Sequence, residues 1–222
     1  MEKTIKITGK GKLSIKPDCV RISMCLEETY RDYEETLYQS SEATEQIKNA
    51  FEKLGFDRRA VKTSRFEIEV QYEHYRDNND HLIKRFKGYS YIHELTVEFS
   101  NDNKKLGEVL YMLAHISLNP EISIDYTVKD TEKYKDLLLK NAIEDSMHKA
   151  KVLTKAANVE LGDIVSINYS WDDIYFTSHP INEINCLDNQ IGSVPQEKAY
   201  DLDMDVEDIK VSDTVTVVWR IQ

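Results

Sequence analysis

Three side chains that could support acid–base chemistry fall on one predicted strand. Tyr91, His93 and Glu94 lie within Gly88–Phe99, where apolar and polar residues alternate. A histidine near a phenol and a carboxyl group could bind a small ligand or move a proton. The period of two, however, directs Tyr91 and His93 to one face and Glu94 to the other. We therefore expect His93 to be a satisfied histidine of the core or sheet surface. An enzyme or small-molecule binder with a pocket between helices and sheet is the alternative.

The other histidines and the acidic residues form no recognisable metal-binding motif. No two histidines have the i, i+4 spacing with a neighbouring glutamate that zinc hydrolases use. His74 and His81 flank a predicted turn and could approach each other. The acidic run 201–208 alternates its aspartates like a calcium loop, but its sixth residue is Val206 and its twelfth is Ser212, where such a loop needs glycine and glutamate. We predict no metal site and no cofactor.

Serine and cysteine also show no sign of activation as nucleophiles. Cys19 and Cys25 lie on one predicted strand, and six residues of strand separate them by roughly 20 Å, beyond disulfide reach. With Cys186 the count is odd, which is typical of a reducing compartment. Gly9-Lys10-Gly11 is followed by strand alternation instead of the helix that a phosphate loop requires. We predict no catalytic residues, and enzyme activity is left open.

The charge balance disfavours polyanionic partners. The chain has 29 Lys and Arg against 40 Asp and Glu, a net charge of −11. Nucleic acid and anionic membranes bind clustered cations, so both are poor partners for an acidic chain. The short basic clusters at Arg58-Arg59 and Lys84-Arg85 are read as solvated turns. The first residues lack the apolar segment of a signal peptide, and no run reaches the ~20 apolar residues of a membrane span. As written, the protein is expected in the cytoplasm, or in the envelope if a signal peptide has been removed.

These residues must be positioned by an alternation of strands and helices. Thr4 to Ile15 and Cys19 to Tyr30 predict a first strand pair joined at Pro17-Asp18, and Gly9 and Gly11 suggest a bulge or a close backbone approach. Residues 67–76 and 81–99 predict a long antiparallel hairpin with a bulge near Lys87-Gly88. Helical spacing predicts helices over 32–54, 104–117 and 131–157. The last has a narrow stripe: Leu139, Ala142, Ile143, Ser146, Ala150, Leu153 and Ala157.

The C-terminal third adds two strands and an irregular stretch. Residues 163–171 and 211–221 alternate like strands, and the second is apolar enough to belong in the main sheet. Residues 172–208 lose all periodicity, so we expect this excursion to be mobile or to contact another chain. The fold class predicted is α+β: a mainly antiparallel sheet with a long hairpin, packed by about three helices, the longest near residues 131–157. We expect a single domain over 1–222.

Four groups of residues, in this order, resemble the SIMPL domain family, a bacterial domain of unknown function. They are Ile5 with Thr8-Gly9-Lys10-Gly11 and Pro17-Asp18; Gly88-Tyr89 with Leu95 and Val97; Asn141-Ala142, Asp145, Lys149-Ala150 and Leu161-Gly162; and Ile209 with Val211 to Trp219. The helix is poorer in alanine than is usual in the family, and the signal peptide or lipoprotein anchor of many members is absent. The resemblance implies an α+β fold, homo-oligomers, and links to stress tolerance or protein partners. It implies no catalytic residues.

The sequence therefore predicts a non-catalytic binding or assembly protein. Long strands with tyrosine-rich faces and an acidic irregular excursion are typical of proteins that contact other proteins. We expect self-association through sheet edges or through residues 172–208.

Overall fold

The computed structural model describes residues 3–76, 82–169, 174–178 and 205–222. Over these residues the chain has the predicted α+β fold, with three α-helices and antiparallel sheets. The elements, in chain order, are β1 (Thr4–Ile15), β2 (Cys19–Tyr30), α1 (Tyr33–Lys53), β3 (Lys62–Arg76), β4 (Leu82–Ser100), α2 (Asn103–Ala114), β5 (Glu121–Thr127), α3 (Thr131–Ala157), β6 (Leu161–Asn168), β7 (Thr177–Ser178) and β8 (Ile209–Ile221).

The chain divides into two compact units. One contains β1, α3, β6, β7 and β8, and the other contains β2, α1, β3, β4, α2 and almost all of β5. The predicted pairing of β1 with β2 is wrong, because β1 pairs with β8 and β2 pairs with β4. The link between β1 and β2 is not a hairpin turn. Its Asp18 N–H donates to the Thr127 carbonyl (3.2 Å), and its Asp18 carboxylate accepts from the Lys129 N–H (2.9 Å). One domain over 1–222 stays a prediction.

The first unit is a three-stranded antiparallel sheet, in the order β1-β8-β6, with α3 against one face. The apolar strand β8 lies at the centre of this sheet instead of in the larger one, which corrects the expectation for the last strand. Its alternate residues Val215, Val217 and Trp219 are buried against Ala142 and Ala150 of α3. The sheet and the helix thus form one core.

Gly9 and Gly11 are where α3 comes closest to β1. A Cβ atom at Gly9 would lie 1.9 Å from the Ala142 carbonyl oxygen, and one at Gly11 would lie 2.1 Å from that of Leu138. Any side chain would therefore collide with helix backbone. The predicted close backbone approach is confirmed, and Gly9-Lys10-Gly11 has a packing role.

The helix α3 has the predicted bounds, but its buried face differs from the predicted stripe. The buried residues follow a spacing of four: Leu138, Ala142, Ser146, Ala150 and Thr154. Leu153 is 49% exposed, so its assignment to the core was wrong. Rows at i±4 are inclined to the helix axis, and the line of contact with the sheet follows that inclination from Leu138 to Thr154.

Side chains of α3 also cover the outer edge of β1. The Asp145 carboxylate accepts from the Lys10 N–H (2.7 Å), and the Lys149 ammonium donates to the Thr8 carbonyl (3.1 Å). The Asn141 amide donates to the Lys12 carbonyl (3.3 Å). Backbone groups that another strand would otherwise use are thereby hydrogen-bonded within the chain.

In the second unit the strands lie in the order β3-β4-β2-β5, and α1 packs on β2 and β4. The interface is filled by apolar side chains of both layers. Buried among them are Val20, Ile22, Met24, Leu26, Ile47, Phe51, Leu95 and Val97. Helix α1 ends one residue short of Leu54, and Gly55 follows with φ +81°. A glycine in this left-handed conformation just past the last turn is a common helix stop.

The long hairpin is confirmed; its first strand is longer than predicted, and its second has the predicted length but is shifted by one residue. β3 begins at Lys62, and β4 extends to Ser100. The predicted bulge is present: Gln71 is opposite Gly88 while Tyr72 is opposite Phe86, so Lys87 is the extra residue. A second shift, between Thr63 and Arg65, lies in β3.

Two predicted boundaries need correction. α2 ends at Ala114 instead of residue 117. The backbone N–H of His115 donates to the Met112 carbonyl, which makes a tighter turn, and the Nδ1 of its ring is hydrogen-bonded to the Tyr111 carbonyl (2.7 Å). β6 ends at Asn168. Of the irregular excursion 172–208, only 174–178 and 205–208 are described, so that prediction lies mostly outside the described residues.

Candidate functional site

His93 is a structural residue held between helix and sheet. It is 8% exposed, and its Nδ1 lies 3.0 Å from Thr44 Oγ1 and 3.3 Å from Ser40 Oγ, both on α1. Because the Thr44 hydroxyl donates to the Ser40 carbonyl (2.9 Å), Nδ1 must donate to Thr44. Nε2 then accepts from the Thr63 hydroxyl (2.9 Å) on β3. Both ring nitrogens are satisfied in the neutral form.

Burial, and next the positive charge of Lys48, lower the pKa of His93. The surroundings therefore favour the neutral imidazole, in which Nδ1 donates to Thr44 and Nε2 accepts from Thr63. The Phe66 ring packs against the imidazole edge to face, with 4.9 Å between centroids. The predicted reading of His93 as a satisfied residue of the core is consistent with this geometry.

The structure does not bring the three candidate residues of β4 together. Tyr91 is buried, and desolvation followed by the nearby Glu28 carboxylate raises its pKa to about 12. Glu94 lies on the opposite face of the strand, 3.5 Å from Arg65. Glu94 is therefore separated by the sheet from Tyr91 and His93, which share the other face.

A small cleft opens beside Tyr91, with a volume of about 120 Å³. Typical ligand pockets measure about 300–1,000 Å³, so this cleft can take a few waters or a very small ligand. Carboxylates dominate its wall, and they contribute, after burial, to a raised pKa of the Cys25 thiol. A raised pKa makes a thiol less nucleophilic at neutral pH. The lining residues are Cys25, Leu26, Glu27, Glu28, Tyr91, Leu118, Asn119 and Glu121.

Other candidates from the sequence stay apart or fall outside the described residues. Neither Cys19 nor Cys25 is in a disulfide. His74 is opposite Lys84 in the hairpin, whereas His81, Cys186 and residues 201–204 of the acidic run lie outside the described residues. Within the described ranges, no three His, Cys, Asp or Glu side chains are grouped so that they could hold a metal ion.

Among the helices of the described residues, none combines the length and the apolar character needed to cross a membrane.

The strongest candidate surface is the distal part of the β3–β4 hairpin, residues 66–76 and 82–89, which we call the hairpin arm. α1 covers the sheet near His93, and its first turn reaches Tyr89, where the rings of Tyr33 and Tyr89 are 5.4 Å apart. Beyond Tyr89 the same face of the arm continues without the helix. Large apolar side chains of this face are 44–47% exposed: Phe66 opposite His93, Val70 opposite Tyr89, and Tyr72 and Phe86 beyond it.

Strand register places these side chains in one continuous row. Val70 is opposite Tyr89, and Tyr72 is opposite Phe86. Ring contacts link Tyr72 to Phe86 (6.2 Å) and Phe86 to Tyr89 (5.4 Å), and the Lys84 ammonium lies 3.8 Å from the centre of the Tyr72 ring. The row is ordered by its own contacts, which keeps a partly exposed aromatic surface in place.

The arm also carries a free sheet edge. Among the described strands, β3 is the first in the sheet order and pairs with β4 alone, so along its 15 residues every second backbone group points outward. Its other face is charged: Arg65 contacts Glu67 at 2.6 Å, and Arg85 contacts Glu73. An apolar row, a charged row and an unpaired edge are what a partner strand can recognise.

The sequence predicted the hairpin and its apolar face but placed that face under helices. The missed signal is length. A strand of 19 residues such as β4 spans roughly 65 Å at 3.4 Å per residue, whereas the 21 residues of α1 span roughly 32 Å at 1.5 Å per residue. A helix of that length cannot cover the whole hairpin.

Comparison with known proteins agrees with the architecture. Residues 5–219 match the family model SIMPL, described as "Protein of unknown function (DUF541)". Two relatives, each called 26 kDa periplasmic immunogenic protein, come from Brucella abortus and Brucella melitensis biotype 1, and both are 24% identical over 164 residues. The match covers 74% of this chain and 65% of each relative, just under two thirds of their length. The chain belongs to the SIMPL family.

Proposed function

We propose that this protein is a non-catalytic assembly module that self-associates through the hairpin arm. The observation that carries the proposal is the open edge of β3 next to an exposed row of Phe66, Val70 and Tyr72. Monomeric proteins usually protect such an edge, since it can pair with any extended chain. The cleft beside Tyr91 is too small for most ligands. A larger hollow of about 530 Å³ is lined only by Asp130 and by residues of α3, namely Lys133, Asp136, Leu137 and Lys140. Neither is the pocket between helices and sheet that the alternative, a small-molecule binder or enzyme, requires.

A second copy of the chain is the partner that fits the edge. If two β3 strands pair antiparallel about Glu69, Phe66 faces Tyr72 and Ile68 faces Val70 across the interface. On the opposite face, Arg65 then lies across from Glu73 of the other copy. Apolar side chains meet apolar ones and opposite charges meet, except that the two Glu69 side chains face each other at the symmetry axis.

The test is the molar mass in solution, measured by light scattering after size exclusion over a range of concentrations. We expect the wild type to form dimers or larger assemblies and Val70→Lys to dissociate them, because two lysines would then enter the apolar row. Val152→Lys is the matched control: Val152 is also a half-exposed valine, 53% against 47% for Val70, but lies on α3. A monomeric wild type at every concentration would overturn the proposal, as would equal dissociation by both variants.

The cellular location is part of the proposal. The sequence favours the cytoplasm, whereas both Brucella relatives are named periplasmic. Fractionation of the native host decides between the two: recovery with a cytoplasmic marker enzyme supports the first, and release by osmotic shock supports the second.

A further inference from the structure

The face of the sheet β1-β8-β6 that points away from α3 is basic and rich in hydroxyl groups. In β1 the residues on this face are all exposed, whereas Ile7, Gly9 and Gly11 on the other face are buried next to α3. The exposed row reads Thr4, Lys6, Thr8, Lys10, Lys12 and Ser14. Three lysines and three hydroxyl groups therefore share one side of a strand.

β8 extends this face across the sheet. Its register sets Lys10 opposite Thr214, Lys12 opposite Ser212 and Ser14 opposite Lys210. Directly paired Cβ atoms lie about 5 Å apart and diagonal neighbours about 7–8 Å, so the ammonium groups of Lys6, Lys10 and Lys12 can reach one extended ligand. Between Lys6 and Lys10, the hydroxyl group of Thr8 is hydrogen-bonded to that of Thr216 on β8 (3.0 Å).

Little counter-charge is present on this face. Within the described part of the chain, no ion pair includes Lys6, Lys10 or Lys12. Glu207 is 3.9 Å from Lys210, and Asp208 accepts a hydrogen bond from Ser14 (2.9 Å), both at one end of the row. The carboxylate of Asp145, which binds the backbone of Lys10, belongs to α3 on the other side. The lysine side chains are available to an external anion.

The size of the patch and the charge of the whole chain limit what that anion can be. From Lys6 to Lys12 the row spans about 20 Å, the length of an extended segment of about six residues. A long polyanion would extend beyond the patch and meet a chain of net charge −11, whereas a short segment stays within a Debye length, about 8 Å, of the lysines. The exposed positions of β1 and β8 carry no aromatic side chain for base stacking.

We propose that this basic face binds a short, extended acidic segment of a partner polypeptide. Carboxylates of the segment pair with Lys6, Lys10 and Lys12, and the threonine hydroxyls between the lysines hydrogen-bond its remaining oxygens. The site lies in a different unit from the hairpin arm and does not depend on self-association through it.

The test uses a fluorescently labelled octaglutamate peptide and its anisotropy on titration with the full chain at low salt. We expect saturable binding that weakens as salt increases and that becomes roughly tenfold weaker in Lys10→Gln/Lys12→Gln, from two exposed charge pairs of up to about 1 kcal/mol each. The control Lys151→Gln/Lys155→Gln removes the same charge from exposed positions on α3 and should bind within twofold of wild type.

Three results would overturn the proposal. The first is no saturable binding at millimolar peptide, and the second is equal weakening in both double variants. The third is tighter binding of a thymidine oligonucleotide or of phosphatidylglycerol vesicles through the same two lysines, which would assign the face to phosphate instead. Val70→Lys should leave peptide binding unchanged, which separates this outcome from the test of the hairpin arm.

Discussion

The outer edges of β1 and β3 differ in what happens to the backbone groups that no neighbouring strand pairs with. Within the part of the chain that the structure describes, both strands pair on one side only. The β1 edge is hydrogen-bonded by Asn141, Asp145 and Lys149, spaced four apart on α3. Four helical residues rise about 6 Å and two strand residues about 6.7 Å, so an antiparallel helix can place one side chain at each outward backbone group. Among the described residues no helix packs along the arm of β3, and its edge is available to the second copy proposed above.

The comparison also shows how glycine enables the closed edge. α3 can lie within reach of β1 only because Gly9 and Gly11 have no Cβ. In the hairpin the alternate positions of β3 carry Phe66, Ile68, Val70 and Tyr72, which hold any covering element farther away. The same alternation thus accompanies an edge whose backbone groups are hydrogen-bonded by a helix in one unit and an edge without such a helix among the described residues in the other.

The largest expected effect comes from breaking the closed side. In Gly9→Ala the new Cβ would lie 1.9 Å from a helix carbonyl, so α3 must move, and we expect a loss of about 3 kcal/mol in the free energy of unfolding. Gly55→Ala is the control, since nothing lies within 4 Å of its Cβ and only its φ of +81° is unfavourable, at about 1 kcal/mol. Urea denaturation measures both, and equal losses would contradict the close-packing argument.

A smaller loss is expected when the edge is uncovered without disturbing the packing. Asp145→Asn weakens the bonds to the Lys10 N–H and to Lys149 (both 2.7 Å) and should lower the free energy of unfolding by about 1–2 kcal/mol. Glu144→Gln, next to it but exposed and 3.9 Å from Lys140, should cost less than about 0.5 kcal/mol. Similar losses in the two variants would show that the contact of Asp145 with the β1 edge adds no more to the free energy of unfolding than an exposed ion pair does.

The same carboxylate gives the closed edge a pH dependence. The hydrogen bond from Lys149, and next that from the Lys10 backbone, lower the pKa of Asp145. The stabilisation is therefore complete above the unfolded-state pKa of about 4 and is lost as the pH falls through the lower folded-state pKa. Unfolding curves between pH 5 and pH 2 should be steeper in pH for the wild type than for Asp145→Asn. Parallel curves would contradict this assignment.

The next prediction concerns His93, whose hydrogen bond to Thr63 holds the start of β3 against the helix layer. Its folded-state pKa is lowered, so the unfolded state binds more protons, and stability is complete above about pH 6.5 and falls as the pH drops. Protonation also removes the acceptor that Thr63 of β3 uses. In His93→Gln the loss of stability between pH 7 and pH 5 should shrink, as measured by thermal unfolding. His115→Gln, at an exposed helix end, is the control and should retain the wild-type dependence.

The smallest expected effect is a change in the dissociation constant for self-association through the edge of β3. Two Glu69 side chains face each other in the proposed pairing, so Glu69→Gln should tighten self-association by roughly threefold, as expected for one like-charge cross-strand pair. Glu42→Gln removes the same charge from an exposed position of α1 and should leave the dissociation constant unchanged. Sedimentation equilibrium gives both constants. Weaker association in Glu69→Gln would rule out the pairing about residue 69.

Local patterns explain which parts of the structure were predictable. The bounds of α3, the left-handed Gly55 and the bulge at Lys87 follow from interactions within a few residues. The partners of β1 and β2 did not follow, because strands close in sequence usually pair and nothing local indicates that Ile209–Ile221 would compete for β1. Leu153 was misplaced because apolar spacing marks a face but not the inclination at which a helix crosses a sheet.

For the candidate surfaces, the sequence by itself determined the alternation: lysines and threonines on one side of β1, aromatic and branched residues on one side of β3. That period is imposed by backbone geometry and needs no partner. Only the tertiary structure decided which rows are covered. α3 lies on the glycine side of β1 and leaves the lysines exposed, while α1 begins only at Tyr33, next to Tyr89, and does not cover the row beyond Tyr89. Coverage depends on helix length, tilt and pairing between distant segments, which are settled when the core packs as a whole.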